Sequence, residues 1–177
     1  MSFWSNELKV ILYTHHLPLK EAIKRIQKDR LLAFFYNLDL SLAKTPLKSC
    51  HLLVSGLNPH AGEKGTLGTE EETEIIPAIE QAQKKGLSIS GPYPPDVVFR
   101  KAFNEPGKIV IALYHDQGCI PFKLESFHTG VNVTLGLPFF RTSPDHGTAF
   151  DISGKGIADS RSMEASIKLA CELSMIL

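Results

Sequence analysis

Short apolar runs alternate along this chain with stretches of helical periodicity. Leu8 to Tyr13 is apolar and rich in branched residues, as a buried strand is. Pro18 stands where a helix can begin. From Lys20 to about Leu42 the apolar residues Ala22, Ile23, Ile26, Leu31, Phe34 and Phe35 recur at mostly helical spacing, and Thr45-Pro46 closes the stretch. His51 to Leu57 reads as a second strand, followed by a loop from Asn58 to Gly68 that holds three glycines and one proline. Thr69-Glu70-Glu71-Glu72 has the form of a capping box, with Thr69 as N-cap and Glu72 reaching back. The helix it opens runs to about Lys85. Pro77 is expected to kink it by removing the bond to the Thr73 carbonyl, and Gly86 suits its end.

Leu87 to Ser90 reads as a short strand, Gly91-Pro92-Tyr93-Pro94-Pro95 as a stiff loop, and Asp96 to Phe103 as a short helix. Lys108 to Tyr114 is the clearest buried strand, and Val131 to Leu135 is another. Phe139 to Gly156 reads mostly as loop. Ser160 to Leu177 is an amphipathic helix with Met163, Ile167, Ala170, Cys171 and Ser174 on one stripe. Strand and helix alternate, which predicts an α/β fold with a largely parallel or mixed sheet.

Composition narrows the function classes. With a formal net charge of +0, the chain is no general polyanion binder, although a local site for one phosphate is compatible with it. Hydrophobic residues make up 43%, enough for a substantial core. Cys50, Cys119 and Cys171 are odd in number and lack CxxC spacing, so they read as free thiols of a reducing compartment. No apolar run approaches the ~20 residues of a membrane span, and the first residues do not resemble a signal peptide. The expectation is a soluble cytoplasmic protein.

The candidate chemistry lies just past strand ends. His16, His60 and His115 each follow a predicted strand, and open α/β sheets gather ligands outside the carboxyl ends of their strands. Three imidazoles gathered there can hold one divalent metal and leave a coordination position open. His15 competes with His16 for the first place, and the spacing matches no local zinc signature. Lys123, Asn132 and Arg141 are donors of the kind a phosphate or carboxylate needs. Asn132 stands out because an amide in an otherwise apolar strand needs a partner. Asp96 reads first as a helix N-cap and second as a carboxylate held at the cleft for proton transfer. Asp116, next to His115, can orient that imidazole. His146, in Ser-Pro-Asp-His-Gly-Thr, is a candidate ligand-binding or supporting residue.

The segments His16-Leu-Pro-Leu, Gly56-Leu-Asn-Pro-His-Ala-Gly-Glu63, Gly68-Thr-Glu-Glu71, Tyr114-His-Asp-Gln-Gly118, Gly130-Val-Asn-Val-Thr-Leu-Gly-Leu-Pro138 and Arg141-Thr-Ser-Pro-Asp-His-Gly-Thr148 together resemble the 4-hydroxythreonine-4-phosphate dehydrogenase family of pyridoxal phosphate (vitamin B6) biosynthesis. The resemblance spans almost the whole chain and corresponds to roughly the C-terminal half of the family. It implies a three-layer fold of the isocitrate/isopropylmalate dehydrogenase type, with the family's N-terminal half missing. Residues 1–158 would form the metal- and phosphate-binding, dimer-forming domain, and 159–177 a helix that packs on that N-terminal half.

The resemblance also implies an activity. It is NAD- or NADP-dependent oxidation of 4-phosphohydroxy-L-threonine to a 3-oxo acid, which decarboxylates to 3-amino-1-hydroxyacetone phosphate. His16, His60 and His115 match the ligands of a divalent metal shared across a homodimer: zinc first, with cobalt or magnesium as alternatives. Lys123, Asn132 and Arg141 match the substrate-phosphate residues, Asp96 the proton-transfer aspartate, and Asn58 lies beside the metal loop. Two alternatives stay open. One is an inactive remnant that binds metal and a phosphate compound. The other is a paralogue acting on another phosphorylated hydroxy acid such as threonate phosphate.

Overall fold

The computed structural model describes residues 1–175. One mixed seven-stranded sheet forms the centre, with strand order β4-β3-β5-β2-β1-β6-β7. Its strands are β1 (Ser2–Trp4), β2 (Lys9–Leu12), β3 (His51–Ser55), β4 (Ile89–Tyr93), β5 (Lys108–Ala112), β6 (Val131–Thr134) and β7 (Arg141–Pro144). Strands β4, β3, β5 and β2 run parallel, whereas β1, β6 and β7 continue the sheet by antiparallel pairing.

Among the described residues six α-helices cover the two faces: α1 (Leu19–Lys24), α2 (Lys28–Leu42), α3 (Ile76–Lys84), α4 (Pro95–Ala102), α5 (His115–Ser126) and α6 (Arg161–Ser174). Alternate residues of each strand face opposite layers. Ile11, Leu52, Val54, Ile109, Ile111, Val131 and Val133 pack in one core with Leu31 and Phe35 of α2, Ala78 and Ile79 of α3 and Leu173 of α6. Phe3, Val10, Leu12, Leu53, Val110 and Ala112 pack in the other, with Val98 and Ala102 of α4 and Cys119 and Phe122 of α5. The predicted three-layer α/β class is the one observed.

Several elements differ from the sequence expectation, each for a local reason. The single helix expected from Lys20 to Leu42 is two, because Gln27 adopts extended backbone (φ −133°, ψ 136°) as the N-cap of α2. The freed Lys28 N–H donates to Glu74 Oε2 at 2.7 Å, so a carboxylate from another segment caps this helix. The capping box at Thr69 does not form. Glu71–Ile75 is instead a π-helical turn with no side-chain cap, and it leads directly into α3. Pro77 then falls in the first turn of α3, where its missing N–H costs little. Gly86 ends α3 at φ 91°, as expected.

Strand β4 runs through Gly91-Pro92-Tyr93, expected as loop; Pro92 is tolerated because β4 is an edge strand. The short strands β1 and β7 and the helix α5 were absent from the sequence reading. Gly118 and Pro121 hide α5 from any helical pattern. A Cβ at Gly118 would lie 2.5 Å from Leu12 Cδ2 and 2.9 Å from Ala112 Cβ, so glycine lets α5 settle onto the sheet. The inner face of α6 packs on β6 and β7 through Ser162, Ser166 and Leu173, whereas Met163 and Ile167 of the expected stripe are exposed. The end of that helix, expected at Leu177, lies outside the described residues.

Candidate metal and substrate site

Four neighbouring parallel strands deliver four candidate groups to one edge of the sheet. His16 follows β2, His115 follows β5, His60 follows β3 and Asp96 follows β4. Hydrogen bonds tie three of these strand ends together. Thr14 Oγ1 donates to Leu113 O at 2.7 Å, joining the ends of β2 and β5. The buried Gln117 amide accepts from Leu113 N at 2.7 Å and donates to Gly56 O at 2.8 Å, joining the ends of β5 and β3.

His16 and His115 come together, with ring centroids 5.6 Å apart. His15 stacks on His16 at 5.5 Å. Partial burial, then the nearby Met1 ammonium, His16 and His115, hold the His15 pKa below its ordinary value. His115 is the first residue of α5, and Asp116 Oδ1 lies 2.6 Å from its Nδ1. That contact leaves Nε2 on the other side of the ring, within hydrogen-bond distance of Cys119 Sγ at 3.6 Å. Burial, with the nearby Asp145 carboxylate, pushes the Cys119 thiol up to about 11.

His60 does not join this pair. Among the described residues no group of three or more His, Cys, Asp or Glu side chains is disposed to hold a metal ion. His60 opens a run of six residues with positive φ: His60 (52°), Ala61 (53°), Gly62 (78°), Glu63 (42°), Lys64 (55°) and Gly65 (86°). Such backbone costs roughly 1–2 kcal/mol for each residue with a Cβ, and it persists only where its surroundings impose it. His16 is also left-handed, at φ 52°. Asn58, just before the turn, donates its side-chain amide to Glu70 Oε2 and Glu71 Oε2, each at 2.8 Å. Its own amide hydrogen and that of Leu57 bond Glu71 Oε1, both at 2.8 Å. The Glu70 carboxyl is held below its ordinary pKa by its own backbone N–H and by Asn58.

Asp96 is not the N-cap of α4. Pro94 takes that position, Pro95 is the first helical residue, and Asp96 stands exposed in the first turn. Lys123, Asn132 and Arg141 share the α4–α5 side of the sheet, since Asn132 and Arg141 alternate with residues that face the other core. No direct bond links them. Lys123 Nζ donates to Asp145 O at 3.2 Å and lies 3.7 Å from Asp145 Oδ1. Arg141 donates to Thr134 Oγ1 at 3.1 Å. Burial raises the Asp145 pKa, partly offset by Lys123. His146 is exposed and bonds only the neighbouring Gly147 O, at 2.9 Å. The sequence reading missed Gln117, Glu71 and Asp145. Glu71 was hidden in an acidic run, where nothing marks which member turns inward.

The donor chemistry at this edge suits a borderline metal such as zinc or cobalt, since imidazole is the dominant group. Residues 1–170 match the family model described as pyridoxal phosphate biosynthetic protein PdxA. The chain belongs to the PdxA family. It is 47% identical over 176 residues to the 4-hydroxythreonine-4-phosphate dehydrogenase of Desulforapulum autotrophicum, covering 96% of this chain and 50% of that protein. It is 45% identical over 174 residues to the D-threonate 4-phosphate dehydrogenase of Salmonella typhimurium, covering 98% and 53%. The crystal structure of a 4-hydroxythreonine-4-phosphate dehydrogenase from Klebsiella pneumoniae superposes with a TM-score of 0.85 at 42% identity, over 98% of this chain and 53% of that one. The chain thus spans about half the length of the PdxA relatives it matches.

Proposed function

We propose that this PdxA-family chain carries the metal- and phosphate-binding half of an NAD- or NADP-dependent dehydrogenase acting on 4-phosphohydroxy-L-threonine. The product is a 3-oxo acid that loses carbon dioxide to give 3-amino-1-hydroxyacetone phosphate, a step in pyridoxal phosphate biosynthesis. The observation that carries this reading is the delivery of His16, His115, His60 and Asp96 to one edge by four adjacent parallel strands. His16, His60 and His115 would hold a divalent metal: zinc first, with cobalt or magnesium as alternatives.

When bound, such a metal supplies Lewis acidity that makes the substrate alcohol easier to deprotonate, and the nicotinamide accepts the hydride. The chain's own residues do the rest. Lys123, Asn132 and Arg141 grip the phosphate, which fixes the carbinol carbon relative to the edge. Asp96 moves the proton. Asp116 fixes the ring of His115, and Asn58 braces the turn that carries His60. His146 supports the phosphate side.

Completion of the site at a homodimer interface is part of the proposal. It is supported by the separation of His60 from His16 and His115 within one chain. It is also supported by the bare apolar face of α5, where Ile120, Leu124 and Phe127 are 59%, 80% and 64% exposed beside His115 and Lys123. The outer face of α6 is assigned to the N-terminal half present in the longer relatives. Among the described residues no helix is long and apolar enough to cross a membrane, and a cytoplasmic location fits three cysteines without a disulfide.

A second reading has a specific support: several relatives are named D-threonate 4-phosphate dehydrogenases. One experiment separates the readings. The purified chain is assayed for NADH or NADPH formation with each phosphorylated substrate, with zinc or with EDTA. EDTA-sensitive turnover of 4-phosphohydroxy-L-threonine supports the first reading, and preference for D-threonate 4-phosphate the second. Stoichiometric zinc uptake without turnover of either overturns both in favour of a non-catalytic binding module.

A further inference from the structure

We propose that Glu71 is the positioning residue of this site. Its buried carboxylate locks the left-handed turn that carries His60 and thereby sets how tightly a metal is held. The proposal rests on the three-histidine reading above and adds to it a residue that touches no ligand.

Glu71 is 1% exposed, and none of the ion pairs among the described residues includes it. A carboxylate buried without a cation needs hydrogen-bond donors. Glu71 has three, all from the two residues that lead into the His60 turn: Leu57 N, Asn58 N and Asn58 Nδ2, each at 2.8 Å. The turn is moulded around this group. A Cβ at Gly62 would lie 2.7 Å from Glu71 Oε2, and one at Gly56 3.3 Å from Glu71 Oε1 and 2.9 Å from Ala61 Cα. A Cβ at Gly68 would collide with the Asn58 amide. The left-handed run begins at His60, two residues after the last of these bonds, so the anchored end is the one that aims the imidazole. On the far side, the π-helical turn that turns Glu71 inward continues into α3, whose Ala78, Ile79 and Ala82 are fixed in the core. The strained turn is therefore tied to a rigid element mainly through the Glu71 side chain, with Glu70 Oε2 accepting one further bond from the Asn58 amide.

Glu71→Gln tests this. Glutamine keeps the shape but sets an amide N–H against one of three donors, and no rotation of the amide satisfies all of them. Two readouts are taken. The first is exchange of the Leu57 and Asn58 amide hydrogens in the metal-free chain, expected to quicken at least about tenfold. The second is Co2+ affinity with its visible spectrum, expected to weaken by about 10–100-fold, the usual effect of removing a group that orients a ligand. Leu173→Ala, which loosens the core where α6 packs on the β6–β7 side of the sheet, is the control and should leave the Co2+ spectrum and affinity within about twofold of wild type.

Folded Glu71→Gln with wild-type exchange and wild-type Co2+ binding overturns the proposal. So does equal weakening by Leu173→Ala, which would reveal mere destabilisation. If Glu71→Gln does not fold, Asn58→Ala decides: it removes one of the three donors and should weaken Co2+ binding by about 3–10-fold, and an unchanged affinity overturns the proposal. If wild type itself takes up no Co2+, the three-histidine reading falls. The exchange readout then decides alone whether Glu71 locks the turn.

Discussion

His115 and His60 follow neighbouring strands of one sheet, yet they are held in opposite ways. His115 opens a regular helix, and its ring is oriented by the adjacent, largely exposed Asp116. His60 sits on left-handed backbone, and what holds that backbone is a buried acid on a different element. Regular structure lets a side chain be aimed by its immediate neighbour. An irregular turn needs a distant, fully bonded anchor, because nothing local favours its conformation. The two halves of the edge should therefore respond differently to substitution.

The largest effect concerns metal affinity. His60→Ala and His115→Ala should each weaken Co2+ binding by at least about 100-fold, roughly 2.8 kcal/mol, with little change in far-UV circular dichroism. Loss in one variant but not the other would break the symmetry on which a shared site depends.

Packing comes next. Gly118→Ala should destabilise the chain by about 1–3 kcal/mol in urea denaturation, because the new methyl overpacks the contact of α5 with Leu12 and Ala112. A cost under about 0.5 kcal/mol would mean that α5 shifts freely and that His115 is not rigidly mounted. On the irregular side the sign reverses. Ala61→Gly relieves strain at φ 53° and should stabilise by up to about 1 kcal/mol, since the gain exceeds the added freedom of the unfolded chain. A destabilising Ala61→Gly would show that the turn is less strained than its backbone angles indicate.

The smallest effect is electrostatic. Burial raises the Asp145 pKa, so the folded chain holds that proton to higher pH than the unfolded one does. Stability from this group therefore falls as pH rises from its ordinary value of 3.8 through the raised folded value, and the cost is fully present above it. Asp145→Asn should melt slightly higher than wild type at pH 7, with the gap closing as pH falls toward 4. A gap that widened on acidification would reverse the assignment.

What was legible in the sequence follows the same division. The parallel strands and the helices α2, α3 and α6 announce themselves through runs and periods of apolar residues. Their largely parallel run, which puts the strand ends before His16, His60, His115 and Asp96 at one edge, follows from the α/β class, whereas their order in the sheet was not legible. Helix α5 was invisible because its glycine and proline serve packing on the sheet rather than helix propensity. Strands β1 and β7 are too short for a pattern and exist through pairing with β6. The roles of Glu71 and Gln117 depend on partners far away in sequence, and residue type alone carries no trace of them. Asp96 shows the converse: its local reading as a cap failed because Pro94 and Pro95 had already set the start of the helix.

The prolines of the outermost strands bear on how copies of this chain can meet. Both rims of the sheet, β4 and β7, contain a residue without an N–H, Pro92 and Pro144. A strand arriving at either rim finds an interrupted ladder, which discourages sheet-to-sheet growth and fibre-like stacking. Association by strand pairing is thereby disfavoured at both rims, which leaves the helical faces as the surfaces open to a partner.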